Sequence, residues 1–313
     1  MNEAERRRRE TAMWKQNAKR QWIILAAVFG LMMAAFYGCG QLADETGGQA
    51  PAPISQEQKE LAITVSGDGV DGEKTFTLEE MAGWEDGAYE HVYSCINNWP
   101  TNKFYVGRGI QVERILKEAG VYDTGQTFTF RSPDSYEMTF TREQLLTKPQ
   151  YYFPGVVEGN PDGAEEVKPI IAYEWAAGTS DLSAAAPDKL CLIVGQTNHL
   201  EHNNPVFVEN VADIIVSSEE PQAWEPATTF PAPGAIAAGE TVKLQHPSIG
   251  LVKLFYTLDG TEPTEMSAMY NPSTYQPELN RPIPITETTT LKVLVTGYGK
   301  KDSEIATYEF TVQ

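Results

Sequence analysis

The sequence predicts the α+β fold class, with a mixed, sheet-dominated domain followed by an all-β sandwich and preceded by a membrane anchor. Three observations support this prediction. Short segments in which apolar and polar residues alternate recur from residue 61 to the end of the chain. One segment in that span has the longer periodicity of a helix. An apolar run near the N-terminus follows a group of basic residues, as in membrane-targeting segments.

Length and charge limit the classes of function. The chain has 313 residues, of which 41% are hydrophobic, and this is enough for two packed cores. Residues 41–313 carry 17 basic and 40 acidic residues. Such an acidic body repels nucleic-acid phosphates and anionic lipid headgroups, so we expect no nucleic-acid partner.

The N-terminal segment predicts membrane attachment. Seven basic residues precede an apolar stretch at 22–37, and Gly38-Cys39-Gly40 follows. Because the basic residues stay inside, we expect residues 1–40 to anchor the chain at the extracytoplasmic face of the bacterial plasma membrane. Two anchors stay open, a transmembrane helix and a lipidated Cys39. Residues 41–58, rich in glycine, proline and polar residues, are then a flexible linker.

Residues 59–217 are predicted to form the main domain. Residues 110–120 have apolar residues at helical spacing and stop at Gly120, which predicts a helix. The turn sequence at 133–135 predicts a hairpin, and Thr141 is placed to cap a short helix. The other predicted elements are a helical turn at 78–81 and strands at 61–65, 75–77, 127–131, 137–140, 170–175, 190–194 and 206–216.

The rest of the chain predicts a second domain. Four prolines punctuate residues 218–233, which predicts an interdomain linker. Residues 234–313 then contain short strand-like segments separated by turns, which is typical of a small antiparallel sandwich. Those segments lie at 241–245, 252–257, 289–296 and 306–312.

Cys95 is the residue on which a catalytic interpretation depends. It ends a strand-like apolar run and precedes Ile96-Asn97-Asn98. A thiolate at a strand end can ligate a soft metal, whereas a buried cysteine packs as a small hydrophobic residue, and the sequence leaves both alternatives open. Cys191 lies in a fully apolar segment and is expected in the core. A disulfide between the two cysteines cannot be deduced from the sequence, and we expect Cys95 to be a free thiol.

Several segments of the main domain, taken in order, carry a family resemblance. They are residues 61–67, Thr77-Leu-Glu-Glu-Met81, Cys95, residues 107–116, Phe130-Arg-Ser-Pro-Asp-Ser-Tyr136 and Ile171-Ala-Tyr-Glu174. Over about residues 60–217 the chain resembles the sulfite-oxidase-type molybdopterin-binding domain. In that family a strand-end cysteine, usually in Cys-x-Gly-Asn, ligates molybdenum. The sequence Cys95-Ile96-Asn97-Asn98 matches at the cysteine and the last asparagine, with Asn97 in place of glycine.

The resemblance implies a molybdenum–molybdopterin cofactor, with Cys95 as metal ligand and catalytic residue. The phosphate of that cofactor needs charge-assisted donors, yet the late polar segment at 195–204 contains no arginine or lysine. Donors are therefore expected from that segment's histidines and from other loops. The cofactor-binding residues that we expect are Asn98, Lys103, Arg108, Arg131, His199 and His202.

The second domain also carries a resemblance. Residues 254–264, with the turn Asp259-Gly260, and Lys300-Lys-Asp-Ser-Glu304 are similar to the chitobiase/β-hexosaminidase C-terminal type of immunoglobulin-like module, over about residues 239–313. The motif reports mainly turn chemistry. The tyrosines of this region can stack on cell-surface carbohydrate, although aromatic residues in a sandwich usually fill the core. They are Tyr256, Tyr270 and Tyr275.

Two hypotheses about function follow. The first is a surface-anchored molybdopterin-dependent oxidoreductase, which transfers oxo groups or electrons at a molybdenum ligated by Cys95 and exchanges electrons with a redox partner protein. The second is a cofactor-free extracytoplasmic binding or adhesion protein that reuses the same scaffold. The fold alone does not choose between them.

Overall fold

A computed structural model of the chain describes residues 54–98, 101–273, 276 and 279–313. The predicted anchor at 1–40, including Cys39, lies outside the described residues, and so does Tyr275. The described residues belong to one compact unit, Pro53–Gln313. None of its helices is long and apolar enough to span a bilayer. Sheets dominate the architecture, as the sequence predicts, and helices are few and short.

The main domain is built on two five-stranded sheets. Its strands are β1 Ala62–Ser66, β2 Lys74–Thr77, β3 Ala88–Ile96, β4 Asn102–Gln111, β5 Thr127–Arg131, β6 Glu137–Thr141, β7 Gln150–Tyr152, β8 Glu165–Val167, β9 Ile170–Ala177, β10 Ala186–Ile193, β11 Val208–Glu209 and β12 Asp213–Ser217. The first sheet has the order β2-β1-β12-β5-β6, in which only β1 and β12 are parallel. The second sheet, β11-β10-β9-β4-β3, is antiparallel, and β7 pairs with β8.

The helices are short, and local sequence explains where they begin and end. They are α1 Gln56–Lys59, α2 Leu78–Ala82 and α3 Val112–Ala119, with a single π-helical turn at Glu143–Thr147. Buried Val112, Ile115, Leu116 and Ala119 form one apolar face of α3. Gly120 ends this helix in the left-handed conformation, with φ of 73°. The predicted helix at 110–120 is confirmed, with its first two residues in β4 instead.

The predicted strand at 206–216 was wrong as one continuous strand. Asn204–Val206 forms a 3-10 turn, and β11 and β12 lie in different sheets. Asn210 between them has φ of 57°, a left-handed conformation that ends one strand and redirects the chain to the other sheet. The sequence at 206–216 is strand-like on both sides of Glu209-Asn210, so the change of sheet at this point was not predicted.

The smaller domain is a sandwich of two sheets over one core. Its strands are β13 Thr228–Phe230, β14 Gly234–Ile236, β15 Glu240–Gln245, β16 Lys253–Thr257, β17 Ala268–Met269, β18 Ile283–Ile285, β19 Thr289–Thr296 and β20 Ala306–Val312. The sheets have the orders β13-β15-β18 and β14-β20-β19-β16-β17. Val242 and Ile283 of the smaller sheet pack in one cluster with Leu254, Val293 and Phe310 of the larger sheet.

Both segments predicted as linkers contain ordered structure. In residues 41–58, helix α1 is capped by Ser55, and Gln58 Nε2 donates to the carbonyl oxygen of Tyr173 at 3.1 Å. In residues 218–233, strand β13 pairs with β15, and Trp224 and Ala227 are buried in the sandwich core. The prolines of this segment are compatible with pairing because β13 lies at a sheet edge.

The side chain of Gln144 joins the two domains. Its Nε2 donates to the carbonyl oxygens of Gly297 at 2.9 Å and Lys300 at 3.2 Å, and its Oε1 accepts from the Gly299 amide at 3.0 Å. The same Oε1 accepts from the Thr141 amide at 3.0 Å, and the Gln144 amide donates to Thr141 Oγ1 at 3.2 Å. Thr141 is thus the cap that the sequence predicts, and its partner also holds the turn at 297–300.

Three further contacts reinforce this junction. The Tyr298 ring packs edge-on against Phe140, with centroids 5.3 Å apart. The Tyr298 hydroxyl donates to Glu201 at 2.6 Å, and Lys148 forms an ion pair with Glu265 at 3.1 Å. Each contact joins the main domain to the sandwich, so the relative position of the two domains is set by several directional interactions.

We expect Gln144→Ala to destabilise the whole unit. The substitution removes three hydrogen bonds to the turn at 297–300 and one at the cap. Since four such bonds are lost and each contributes about 0.5–1.5 kcal/mol net, the free energy of unfolding should fall by about 2–6 kcal/mol, measured by urea denaturation followed by circular dichroism. Gln126→Ala is the matched control, because the Gln126 side chain makes no hydrogen bond among the described residues. Equal stability of the two variants would contradict the role of Gln144.

Candidate functional site

Cys95 lies one residue before the end of β3 and has no exposed surface. It pairs across the sheet with Lys103 of β4, and its side chain belongs to the apolar core of the main domain. Burial raises the pKa of the Cys95 thiol to about 12, although Lys103 opposes this rise. Cys95 is a free thiol and Cys191 is buried, as expected. The burial of Cys95 corresponds to one of the two alternatives that the sequence leaves open. The environment of Cys95 is therefore that of a small hydrophobic residue.

The two arginines expected to bind the cofactor are engaged by carboxylates. Arg108 Nε donates to Glu90 at 2.7 Å, and its Nη1 contacts Glu174, which is buried. Arg131 forms an ion pair with Asp213 at 3.1 Å. A guanidinium paired in this way has fewer donors left for a phosphate.

The residues that the resemblance implies do not fit a molybdopterin in this arrangement. The thiol that would ligate the metal is sealed from the surface, and Arg108 and Arg131 are neutralised. Among the described residues, no group of three or more His, Cys, Asp or Glu side chains is arranged to hold a metal ion. The role of Cys95 as a metal ligand stays a prediction.

A cavity of about 600 Å³ lies between the main domain and the sandwich. Small-molecule sites typically have volumes of about 300–1,000 Å³, so the cavity is large enough for a metabolite. Two of the predicted cofactor-binding residues, Asn98 and His202, line it. His199 does not line the cavity; its ring packs against Phe153, with centroids 6.1 Å apart.

A buried polar network fixes the loop that carries His202. Ser94 Oγ donates to Gln196 Oε1 at 2.5 Å, and Gln196 Nε2 donates to the carbonyl oxygen of Glu201 at 2.8 Å. Asn203 Nδ2 donates to the carbonyl oxygen of Gly195 at 3.1 Å. Gln196 and Asn203 have no exposed surface, so the loop after β10 is anchored from below and presents Glu201 and His202 to the cavity.

Glu201 and Glu265 are acidic residues of the cavity wall. Glu201 accepts hydrogen bonds from Tyr298 and from Thr197, whose Oγ1 lies 2.9 Å from one carboxylate oxygen. Glu265 accepts from Lys148 at 3.1 Å and from Asn198 at 3.1 Å. Burial raises the pKa of Glu201, and the neighbouring Glu265 adds to the rise, while the hydrogen bonds from Tyr298 and Thr197 oppose it. These carboxylates are close enough to repel each other.

Lys253 is a basic residue of the cavity wall. Lys253 Nζ donates to the carbonyl oxygens of Asn271 at 3.2 Å and Pro272 at 3.4 Å, and it forms no salt bridge within the described part of the chain. Burial lowers the pKa of Lys253 to about 8. Burial also lowers the pKa of His202 to about 3, and Lys253 contributes to this. The buried atoms His202 Nδ1 and Asn98 Oδ1 have no hydrogen-bond partner.

Sequence reasoning found Asn98 and His202 but missed the charged residues that complete the cavity. A signal was present for Lys253, because β16 has buried apolar residues on both faces, at Leu254 and Phe255. A strand of this kind is covered on its outer face as well, so Lys253, which shares a face with Phe255, lies under another element. For Glu201 and Lys148 no such signal existed, since both lie in polar segments.

The Cys95 thiol should be unreactive in the folded protein. In a Cys39→Ser variant at pH 8, iodoacetamide should label neither Cys95 nor Cys191, because burial leaves almost no thiolate. Both should be labelled in denaturant, which mass spectrometry measures. Rapid native labelling that disappears on Cys95→Ser would contradict the buried position.

His202 should make the fold sensitive to acid. Its folded pKa of about 3 lies below the ordinary value, so the unfolded chain alone binds this proton between pH 6.5 and 3. Stability from this residue is complete above pH 6.5 and declines as the pH falls. Urea denaturation gives the free energy of unfolding at pH 7.5 and at pH 5. The decrease between these two values should be smaller for His202→Gln than for the wild type, and the value at pH 7.5 corrects for any change in packing. Identical acid losses would argue against a neutral, buried His202.

Comparisons with known proteins agree with part of these expectations. Residues 231–307 match the family model described as the chitobiase/beta-hexosaminidase C-terminal domain, in the region where the sequence resembles that module. No curated protein sequence matches the chain.

Two solved structures are distantly similar to the chain. The sulfane dehydrogenase SoxCD from Paracoccus pantotrophus has 12% identity and a TM-score of 0.33, covering 80% of this chain and 70% of that chain. The glycoside hydrolase domain Spr0440, Endo-D, from Streptococcus pneumoniae R6 has 13% identity and a TM-score of 0.22, covering 72% of this chain and 34% of that chain.

Proposed function

We propose that this chain is a membrane-tethered, extracytoplasmic binding protein that holds a small ligand in the cavity between its two domains. The scaffold resembles an oxidoreductase domain, but the protein works without the metal. The observation that carries the proposal is the contrast between the sealed Cys95 thiol and the cavity, which has polar atoms without partners at Asn98 and His202. Buried polar atoms normally have a partner, so a bound ligand is a natural source of one.

The position of the cavity supports binding. Its walls come from both domains, and the junction at Gln144 and Tyr298 holds those walls in place before any ligand arrives. In a preformed site, ordering the side chains on ligand binding costs less free energy. Carbohydrate binding by the sandwich tyrosines is less favoured, because Tyr270 is buried in the core and Tyr256 is packed against it.

The molybdopterin-dependent oxidoreductase is the second candidate, and metal analysis separates the two. Protein made in a host that synthesises and loads the cofactor should contain no molybdenum above background. The control is a known molybdopterin enzyme produced in the same host, which must be loaded. Near-stoichiometric molybdenum that is lost in Cys95→Ser would overturn the proposal.

Ligand binding is tested by thermal shift, with amino acids, dipeptides, monosaccharides, N,N′-diacetylchitobiose and sulfite as probes. A ligand at about 100 times its Kd stabilises the folded state by about 2.7 kcal/mol, which raises Tm by several degrees. Met269→Trp, which enlarges a wall residue, should abolish the shift. Met266→Trp is the matched control, because Met266 is 51% exposed and lies outside the cavity. A shift unaffected by Met269→Trp, or no shift with any probe, would contradict binding in the cavity.

A further inference from the structure

The walls of the cavity suggest a ligand with an apolar body. The cavity is lined by five apolar side chains, those of Met138, Phe140, Leu251, Phe255 and Met269. These side chains come from both domains, and they offer contact area without hydrogen-bonding groups. An aliphatic or aromatic segment would gain free energy by leaving water in this place.

Three acidic residues that line the cavity interact electrostatically with Lys148. Glu201, Glu265 and Asp302 face one lysine, Lys148, whose pKa is raised because these three carboxylates outweigh the effect of burial. Lys148 is paired directly with Glu265. Glu201 has only neutral donors, Tyr298 and Thr197. A carboxylate in partial burial without a cationic partner is a favourable position for an ammonium group.

Lys253, a basic residue of the cavity wall, lacks a charged partner among the described residues. Lys253 donates only to backbone carbonyls, and no carboxylate in the described residues contacts it. His202 interacts electrostatically with Lys253, and His202 Nδ1 lacks a partner. Burial lowers the pKa of Lys253, and Lys253 makes no salt bridge with Glu201 among the described residues. An anionic ligand group would supply the missing partner.

We infer that the cavity binds a zwitterion, either an amino acid or a short peptide with free termini, whose ammonium group lies against Glu201 and whose carboxylate lies against Lys253. This inference rests on the proposed function and gives its ligand class. A neutral sugar would leave the charges of Glu201 and Lys253 unpaired, and a simple anion or cation would pair with only one of them. The apolar walls then favour aliphatic or aromatic side chains.

Isothermal titration calorimetry at pH 7 tests the ligand class on the full chain. The probes are leucine, leucyl-leucine, N-acetyl-leucyl-leucine, leucyl-leucinamide and N,N′-diacetylchitobiose. At least one of leucine and leucyl-leucine should bind, and the tighter one identifies a free amino acid or a peptide as the source. The forms of the tighter ligand that lack either the ammonium or the carboxylate charge should bind about tenfold or more weakly, as expected for the loss of a charge-assisted contact.

Variants of Lys253 and Glu201 assign the orientation of the bound ligand. Lys253→Met should weaken binding of leucyl-leucine about tenfold and leave leucyl-leucinamide unchanged. Glu201→Gln should weaken leucyl-leucine similarly and leave N-acetyl-leucyl-leucine unchanged. The matched controls, Lys243→Met and Glu304→Gln, replace exposed residues outside the cavity and should bind like the wild type. If leucine is the tighter ligand, leucinamide and N-acetyl-leucine replace the dipeptide probes.

The charge-conserving variants Lys253→Arg and Glu201→Asp keep the test informative if the first pair fails to fold. They should retain the preference for the zwitterion over its capped forms. The inference is overturned if neither leucine nor leucyl-leucine binds, if capped and free forms bind equally, or if only the disaccharide binds. If a probe of another class binds and Met269→Trp abolishes that binding, the ligand class is wrong but the proposed function is supported. If molybdenum is loaded and depends on Cys95, the proposed function itself is wrong.

Discussion

The hydrogen bonds of Gln144 are the interaction on which the arrangement of the two domains depends. One side chain caps the turn that follows β6 and also binds three backbone groups of the turn at 297–300. Through that turn, Tyr298 reaches Phe140 and Glu201. The cavity exists because these bonds hold the sandwich at a fixed distance from the loop after β10. A different angle between the domains would separate Lys253 from His202.

The charged residues of the cavity wall are paired unequally. Glu201, Glu265 and Asp302 interact with Lys148, whereas Lys253 has only carbonyl oxygens as partners. Partial burial makes this costly, since a charge that loses water needs a partner to compensate. The raised pKa of Glu201 and the lowered pKa of Lys253 both follow from burial and have opposite directions because the two groups carry opposite charges. Glu201 has no direct cationic partner and Lys253 has no anionic one, and a ligand that carries both charges would supply both.

Cys95 and Asn98 illustrate how closely spaced residues reach different environments. They are three residues apart, and the sequence placed both beside one cofactor. Because β3 continues to Ile96, Cys95 is still a sheet residue and its side chain enters the core, whereas Asn98 follows the strand and reaches the cavity. The family resemblance does not fix where the strand ends, and this boundary decides whether the Cys95 side chain lies in the core or in the following loop.

The sequence by itself determined the local elements. Gly120 ended α3, Thr141 capped the following turn, the turn residues at 133–135 closed the β5–β6 hairpin, and alternation placed most strands. These features depend on interactions within a few residues of each other, so the sequence contains them. The sequence did not predict the change of sheet at Asn210 or the pairing of β13, because both depend on strands that are distant in the chain. The tertiary structure alone decided the site: Glu201, Glu265 and Lys253 belong to separate segments, and a periodic pattern tells which face of a strand is covered but not which residue covers it.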